Sequence, residues 1–146
     1  MKTVKDILNA KRNAETLCIE PDILVWDAIK LMAEKSVGAL LVTQNNALVG
    51  IVSERDYLRK VALMGRSSQS TVVKDIMTPN PITVSLDQGI EHCMELMTEK
   101  RIRHLPVMEN GTLQGVISIG DVLETTMAEQ KHLIQQLEQY IRGESY

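Results

Sequence analysis

The heptapeptide GIVSERD at residues 50–56 returns as GVISIGD at residues 115–121. Each stretch has glycine first, serine fourth and aspartate seventh, with two β-branched residues after the glycine. Shifting the chain by 65 positions aligns residues 22–60 with residues 87–125 without a gap, and 13 of the 39 aligned pairs are identical. Chance would give only a few such identities, so the chain is predicted to contain two copies of one small motif.

A shorter match marks where each copy opens, with VKDIL at residues 4–8 and VKDIM at residues 73–77. Between the copies, the polar, glycine-opened segment GRSSQST at residues 65–71 is typical of a linker. The predicted organisation is a first unit at 1–64, a linker at 65–72, a second unit at 73–128 and a C-terminal helical extension at 129–146.

Each copy shows the pattern strand, helix, strand, strand, helix after a short opening helix. Asp22 and Asp87 stand where N-caps of the first long helix are expected, and Asn45-Asn46 and Asn110-Gly111 favour tight hairpin turns. Units of about 55 residues are marginally stable alone. We therefore expect an α/β (α+β) fold of two βαββα units, their sheets packed against each other and their helices outside. The predicted short elements are helices 4–8 and 73–77, strands 17–19 and 82–84, and hairpin strands 39–42, 48–52, 105–107 and 113–117.

Composition excludes several classes of protein. The formal net charge of −3 lacks the basic balance of duplex-binding proteins, and an aromatic content of 3% offers few platforms for base stacking. No apolar run approaches the roughly 18 residues of a membrane span, and the charged N-terminus does not resemble a secretory signal. We therefore expect a cytoplasmic protein with neither membrane nor nucleic-acid partners.

Enzyme signatures are absent from the sequence. It has no P-loop, HExxH, GxSxG or dinucleotide fingerprint. Cys18 and Cys93 have no CxxC partner, and His92, His104 and His132 lack metal-ligand spacing. We expect no enzyme, no metal site and no obligatory cofactor, and a hydrolase or transferase is the most remote alternative.

The repeated glycine, serine and aspartate suit the binding of a nucleotide. Glycine permits close approach to the backbone, and a serine hydroxyl with the free amides of a helix start can hold an anion. An aspartate one turn later can accept two hydrogen bonds from a vicinal diol such as ribose. Ser-x-x-Asp is also an ordinary helix-capping arrangement. Its presence at matched positions in both copies favours ligand binding.

The doubled pattern resembles a tandem pair of cystathionine-β-synthase (CBS) domains, also called a Bateman module. The resemblance covers about residues 4–127 and includes VKDIM, TPNPITV at 78–84, RIRHLPV at 101–107 and both glycine–serine–aspartate stretches. It implies pseudo-twofold symmetry and a cleft with two nucleotide sites for AMP, ADP or ATP, and in some members NAD or S-adenosylmethionine. By this resemblance the ribose-binding residues are Asp121, Ser118, Asp56 and Ser53.

The two copies differ in their candidate phosphate ligands. Arg103 offers a planar fork suited to phosphate, and His104 can also donate, whereas the first copy has Gly38 and Ala39 at these positions. Arg55, or Arg66 in the linker, is a candidate to compensate. The Asp121 site is therefore expected to bind a nucleotide strongly, whereas binding at the Asp56 site depends on such a compensating residue. The residues that the resemblance implies to face adenine are Ile82, Thr83, Val84, Pro106, Ile117, Cys18 and Ile19.

These observations predict a ligand-sensing module of signal transduction and energy sensing that binds an adenine nucleotide and reports its occupancy to an unknown effector protein. The last helix carries an apolar stripe from Val122 to Ile141 that is longer than one unit needs, so we expect a homodimer. The alternative is a structural dimerisation scaffold with empty clefts, in which the serine–aspartate pairs are only caps.

Overall fold

A computed structural model describes residues 1–11 and 16–143 of the chain, so residues 12–15 and 144–146 of the predicted first unit and C-terminal extension lie outside the described residues. The described elements follow the predicted order in each copy. They are α1 (Val4–Ala10), β1 (Cys18–Ile19), α2 (Val25–Lys35), β2 (Ala39–Gln44), β3 (Ala47–Ser53), α3 (Glu54–Tyr57) with a π-helical continuation (Leu58–Ala62), a 3-10 turn (Val73–Asp75), β4 (Thr78–Pro79), α4 (Ile90–Lys100), β5 (His104–Glu109), β6 (Thr112–Ser118) and α5 (Ile119–Ile141).

The two copies build sheets around matching hairpins, and the first sheet also contains β4, from the segment that opens the second copy. In the first, β1 runs parallel to β2, and β3 is antiparallel to both β2 and β4. In the second, β5 and β6 form the hairpin, and Val84 pairs in parallel with Val107 as β1 pairs with β2. The hairpin turns have positive φ at Asn45-Asn46 and Asn110-Gly111, which confirms the turns predicted from these residue types.

The structure confirms the mixed α/β fold of two βαββα units, with β3 contacting β6 between the sheets. However, the opening segment of each copy is buried in the core of the other copy. Val4 and Ile7 of α1 are buried in the core of the second copy, beside Leu105 and Ile117. Val73 and Ile76, which open the second copy, are buried in the core of the first. Each copy is therefore completed by residues that the sequence repeat assigns to the other.

The predicted N-caps Asp22 and Asp87 are wrong. Helices α2 and α4 begin after Leu24 and Gly89, and neither cap donates or accepts through its side chain. Backbone carbonyls from distant segments satisfy the first amides instead. The N–H of Val25 donates to Thr71 O at 2.8 Å. The corresponding first amide of α4 donates to Lys2 O at 3.3 Å, so residues just before the exchanged segments cap the starts of these helices.

Two short predicted elements also differ. The helix predicted at 73–77 is a single 3-10 turn over Val73–Asp75. The strand predicted at 82–84 is reduced to Val84, whose N–H donates to Pro106 O at 3.0 Å. Ile82 and Thr83 are exposed, and Val84 is the residue of this segment that packs in the second core, so pairing is limited to Val84.

The repeated glycines accommodate the protein's own side chains. A β-carbon on Gly50 would stand 2.6 Å from Met77 Sδ, and one on Gly115 would stand 3.2 Å from Leu8 Cδ2. Leu8 and Met77 end the matching VKDI segments. The close approach predicted at these glycines is therefore made by the exchanged opening segments.

Helix α5 extends past the second core with an apolar face in solvent. Val122 is its buried residue, while Leu137 is 53% exposed and Ile141 81% exposed. The predicted long stripe is thus present and uncovered in the described chain. Its exposed members are Leu123, Met127, Leu133, Ile134, Leu137, Tyr140 and Ile141.

Candidate functional site

Ser118 and Asp121 form a closed cap at the start of α5. Asp121 N–H donates to Ser118 Oγ at 3.1 Å, and Ser118 N–H donates to Asp121 Oδ2 at 2.8 Å. The same carboxylate oxygen also contacts Lys11 Nζ at 3.0 Å. Lys11 Nζ donates in addition to Val116 O at 2.8 Å. The side chains of Lys11 and Asp121 are 26% and 20% exposed, so a ligand from solvent can reach this ion pair.

The start of β5 lies beside this cap. The hairpin register places His104 opposite Ser118, and the amide that follows Ser118 donates to Arg103 O at 2.8 Å. Arg103 is exposed and His104 half-buried. Burial lowers the pKa of His104, the Asp121 carboxylate opposes this shift, and the charges of Lys11 and Arg103 add to it. The structure therefore brings together the ribose and phosphate candidates of the second copy.

Asp56 has an equivalent arrangement in the first copy. Ser53 N–H donates to Asp56 Oδ2 at 2.9 Å, and Asp56 N–H donates to Ser53 Oγ at 3.3 Å. Lys60 Nζ lies 3.1 Å from Asp56 Oδ1 and donates to Ile76 O at 2.8 Å. Each aspartate thus pairs with a lysine that also binds a backbone carbonyl. Lys60 comes from the next helical turn, whereas Lys11 comes from the opening segment of the chain.

Two contacts join the copies beside these caps. Arg55 Nη1 donates to Arg101 O at 2.7 Å, where the carbonyl ends of α4 attract a cation. A β-carbon on Gly38 would stand 2.7 Å from Glu54 Oε1 and 3.4 Å from His104 Cε1. Position 38 corresponds to Arg103, so the side chain missing from the first copy leaves room for His104 of the second.

The remaining candidates are more dispersed. Arg66 is exposed in the linker, and across residues 1–11 and 16–143 no side-chain hydrogen bond joins it to another predicted site residue. Val84 and Ile117 are buried in the second core, so their side chains face the core. Of the other residues predicted to face adenine, Pro106 and Ile19 are buried, while Cys18, Ile82 and Thr83 are exposed.

The CBS-domain family model matches residues 4–63 and again residues 73–127. The chain belongs to the CBS-domain family. The resemblance inferred from VKDIM, RIRHLPV and the repeated heptapeptides is therefore confirmed, and the protein is a tandem CBS pair. CBS domain-containing protein CBSX3, mitochondrial, of Arabidopsis thaliana is 42% identical over 149 residues, which cover 97% of this chain and 72% of that protein. The pair spans only about a quarter (24–25%) of the next four curated relatives.

Solved CBS structures share this architecture. An inferred signal-transduction protein with CBS domains from Burkholderia ambifaria MC40-6 is 49% identical, with a TM-score of 0.85 and coverage of 88% of this chain and 96% of that one. The CBS domain pair of protein MJ0100, in complex with 5′-methylthioadenosine and S-adenosyl-L-methionine, has a TM-score of 0.75 over 88% and 98% of the two chains. The MJ0100 pair is only 23% identical in sequence to this chain, so this similarity shows a shared fold and nothing more.

The described parts of this CBS pair contain no helix with the length and apolar character of a membrane span. Within the same residues, no group of three or more His, Cys, Asp or Glu side chains is arranged to hold a metal ion.

The lysine partners of both aspartates were missed from the sequence. Lys60 could have been found, because Asp56 and Lys60 stand four residues apart on a predicted helix, a spacing that favours an ion pair. Lys11 could not, because it reaches Asp121 only through the packing of α1 on the second CBS core. Glu54 lies against Gly38 and near His104, and no sequence pattern predicts this position either.

His104 is expected to make the stability of this CBS pair sensitive to mild acid. Burial lowers the pKa of His104 below its ordinary value of 6.5, although the Asp121 carboxylate opposes this shift. As the pH falls below about 6.5, His104 binds a proton more readily in the unfolded chain than in the folded protein, so the free energy of unfolding falls. Urea unfolding at a series of pH values should show a shallower acid decline for His104→Gln than for the wild type. Identical acid declines in the two proteins would contradict the role of His104 in this pH dependence.

Proposed function

We propose that this CBS pair is a sensor that binds an adenine nucleotide (AMP, ADP, ATP or NAD) in the cleft between its two units. One observation supports this most directly: Asp121, Ser118, Arg103 and His104 are gathered at the start of α5. A partly exposed carboxylate suits the ribose diol. The guanidinium of Arg103, whose backbone carbonyl binds the first amide of α5, suits a phosphate. The Asp121 site is proposed as the stronger one, since Arg55 in the first unit already binds the end of α4.

The sensor signals through a conformational change and catalyses no reaction. A difference of about 1–3 kcal/mol in ligand affinity between two arrangements of the units is enough for such a switch. Desolvation raises the pKa of the buried Cys93 thiol and also that of Cys18, although Cys18 is exposed, and a raised pKa disfavours the nucleophilic thiolate. No obligatory cofactor is proposed. A CBS pair of this fold holds 5′-methylthioadenosine and S-adenosyl-L-methionine, which supports a ligand that contains adenosine.

The partners of the sensor are a second copy of the chain and an effector protein that reads the ligand state. The apolar face of α5, with Leu133 and Leu137 more than half exposed, supports a homodimer, because large exposed apolar patches usually mark interaction surfaces. A cytoplasmic location is part of this proposal, and so is the absence of membrane and nucleic-acid partners.

The capping boxes support one alternative function. Ser53–Asp56 and Ser118–Asp121 each form both reciprocal cap bonds, so the repeated motif has a structural role even without a ligand. In this alternative the pair is a dimerisation scaffold whose clefts stay empty.

A ligand screen separates the two functions. The protein is first freed of co-purified compounds, which native mass spectrometry identifies, and is then melted with AMP, ADP, ATP, NAD, NADH, S-adenosylmethionine or GTP. A ligand present at 100 times its Kd should stabilise the folded state by about 2.7 kcal/mol, or roughly 5–10 °C for a chain of this size. GTP is the base-specificity control. No shift with any adenine compound at millimolar concentration, and none co-purified, would favour the scaffold.

A further inference from the structure

We infer that Lys11 makes the Asp121 site selective for adenine ligands that carry a phosphate over those that do not. The inference rests on the proposed nucleotide function and adds a residue outside the repeated motif. It starts from the ion pair in which Lys11 Nζ lies 3.0 Å from Asp121 Oδ2 and 2.8 Å from Val116 O.

The Lys11 ammonium is bound to Asp121 Oδ2, one of the two oxygens that would accept hydrogen bonds from a ribose. A vicinal diol bound in the bidentate manner uses both oxygens of the Asp121 carboxylate. Oδ2 already accepts from Ser118 N–H and from the Lys11 ammonium, and two donors satisfy the lone pairs of one carboxylate oxygen. A ribose therefore enters by displacing the ammonium of Lys11.

The displaced charge distinguishes one ligand from another. An ammonium that leaves its carboxylate inside a partly buried site loses a favourable interaction unless it finds another anion. Adenosine and 5′-methylthioadenosine offer none, whereas a 5′-phosphate offers a strong acceptor within the same ligand. Lys11 thus opposes the entry of uncharged adenosyl compounds and stabilises the bound form of phosphorylated ones.

The surroundings leave this role to Lys11 and Arg103. Arg103 is exposed and its guanidinium suits a phosphate, while burial lowers the pKa of His104 and favours its neutral imidazole. Asp121 is the carboxylate that acts on this imidazole. A ligand phosphate would therefore meet two cations once the diol has taken the carboxylate.

The Asp56 site provides a matched control. Lys60 pairs with Asp56 from the next turn of the same helix and also binds Ile76 O. It belongs to the weaker proposed site, so its removal should leave ligand preference at Asp121 unchanged.

Calorimetric titration of the ligand-free full chain with AMP and with 5′-methylthioadenosine tests the inference, because the two compounds share base and ribose. In Lys11→Met, the ratio of AMP affinity to 5′-methylthioadenosine affinity should fall about tenfold or more, the size expected of one charge-assisted hydrogen bond. Binding of 5′-methylthioadenosine should itself become tighter. In the tighter-binding phase, which belongs to the Asp121 site, Lys60→Met should keep the wild-type ratio, and Lys11→Arg should largely keep it.

The outcomes are distinguishable. Wild-type binding of AMP with an unchanged ratio in Lys11→Met overturns the role of Lys11 and leaves the nucleotide function standing. Equal weakening of both ligands also overturns it, because a purely structural lysine would act that way. Binding of neither ligand by any variant overturns the nucleotide function and this inference together. If Lys11→Met does not fold, Lys11→Gln, which keeps a donor without the charge, should show the same fall in the ratio.

Discussion

Ile7→Ala is expected to lower the free energy of unfolding by about 2–5 kcal/mol and to loosen the second CBS unit, although Ile7 stands in the first copy of the repeat. Ile7 is 2% exposed and packs in the core with Leu105 and Ile117. Removing its outer carbons leaves a cavity there. Urea unfolding measures the loss, and hydrogen exchange followed by mass spectrometry should show faster exchange in β5 and β6.

Ile76→Ala is the mirror-image control. Ile76 is 1% exposed and lies in the first core, among Val42 and Val52. This change should cost a similar free energy and accelerate exchange in β2 and β3. If Ile7→Ala instead loosened β2 and β3, the exchange of opening segments between the cores would be wrong.

Asp121→Asn is expected to weaken adenine-nucleotide binding by about 100-fold or more. Each hydrogen bond to a charged group contributes about 1.5–3 kcal/mol, and the carboxylate is proposed to accept two from the ribose. The amide oxygen of asparagine can still accept from Ser118 N–H, so the cap of α5 and the melting temperature without ligand should change little. The nucleotide-induced rise in melting temperature measures the effect.

Asp56→Asn separates the two sites. It makes the same chemical change in the matching cap of α3, and we expect a smaller loss of binding because the first copy has Gly38 where the second has Arg103. Equal losses in the two variants would contradict the proposed asymmetry. Unfolding of Asp121→Asn without ligand would favour the capping role of the motif.

Repetition made most of the fold predictable. Once residues 22–60 align with 87–125, one set of patterns predicts both hairpins, both long helices and the asparagine turns. The exchange of opening segments was not predictable in this way. VKDIL and VKDIM are nearly identical, so hydrophobicity alone does not determine which core each segment joins. The predicted N-caps were wrong for a related reason, since the carbonyls of Thr71 and Lys2, just before these segments, replace local side chains at the helix starts.

The candidate site was predictable where its residues share one strand end. Arg103, His104 and Ser118 meet because β5 and β6 form a hairpin whose register follows from its turn. Lys11 and Gly38 act across the fold, through the packing of α1 and through the room left for His104. Neither contact has a local spacing that a sequence could reveal.

The exchanged segments also bear on the order in which the chain can fold during synthesis. The first core lacks Val73 and Ile76 until the ribosome has passed them, so that unit cannot close when its own hairpin emerges. Helix α1 is synthesised before the other described elements, yet it has no core to join until β6 is complete. Domains usually fold one after another from the N-terminus as they emerge. Here the two halves are expected to fold in one late, concerted step, with the N-terminal helix among the last elements to dock.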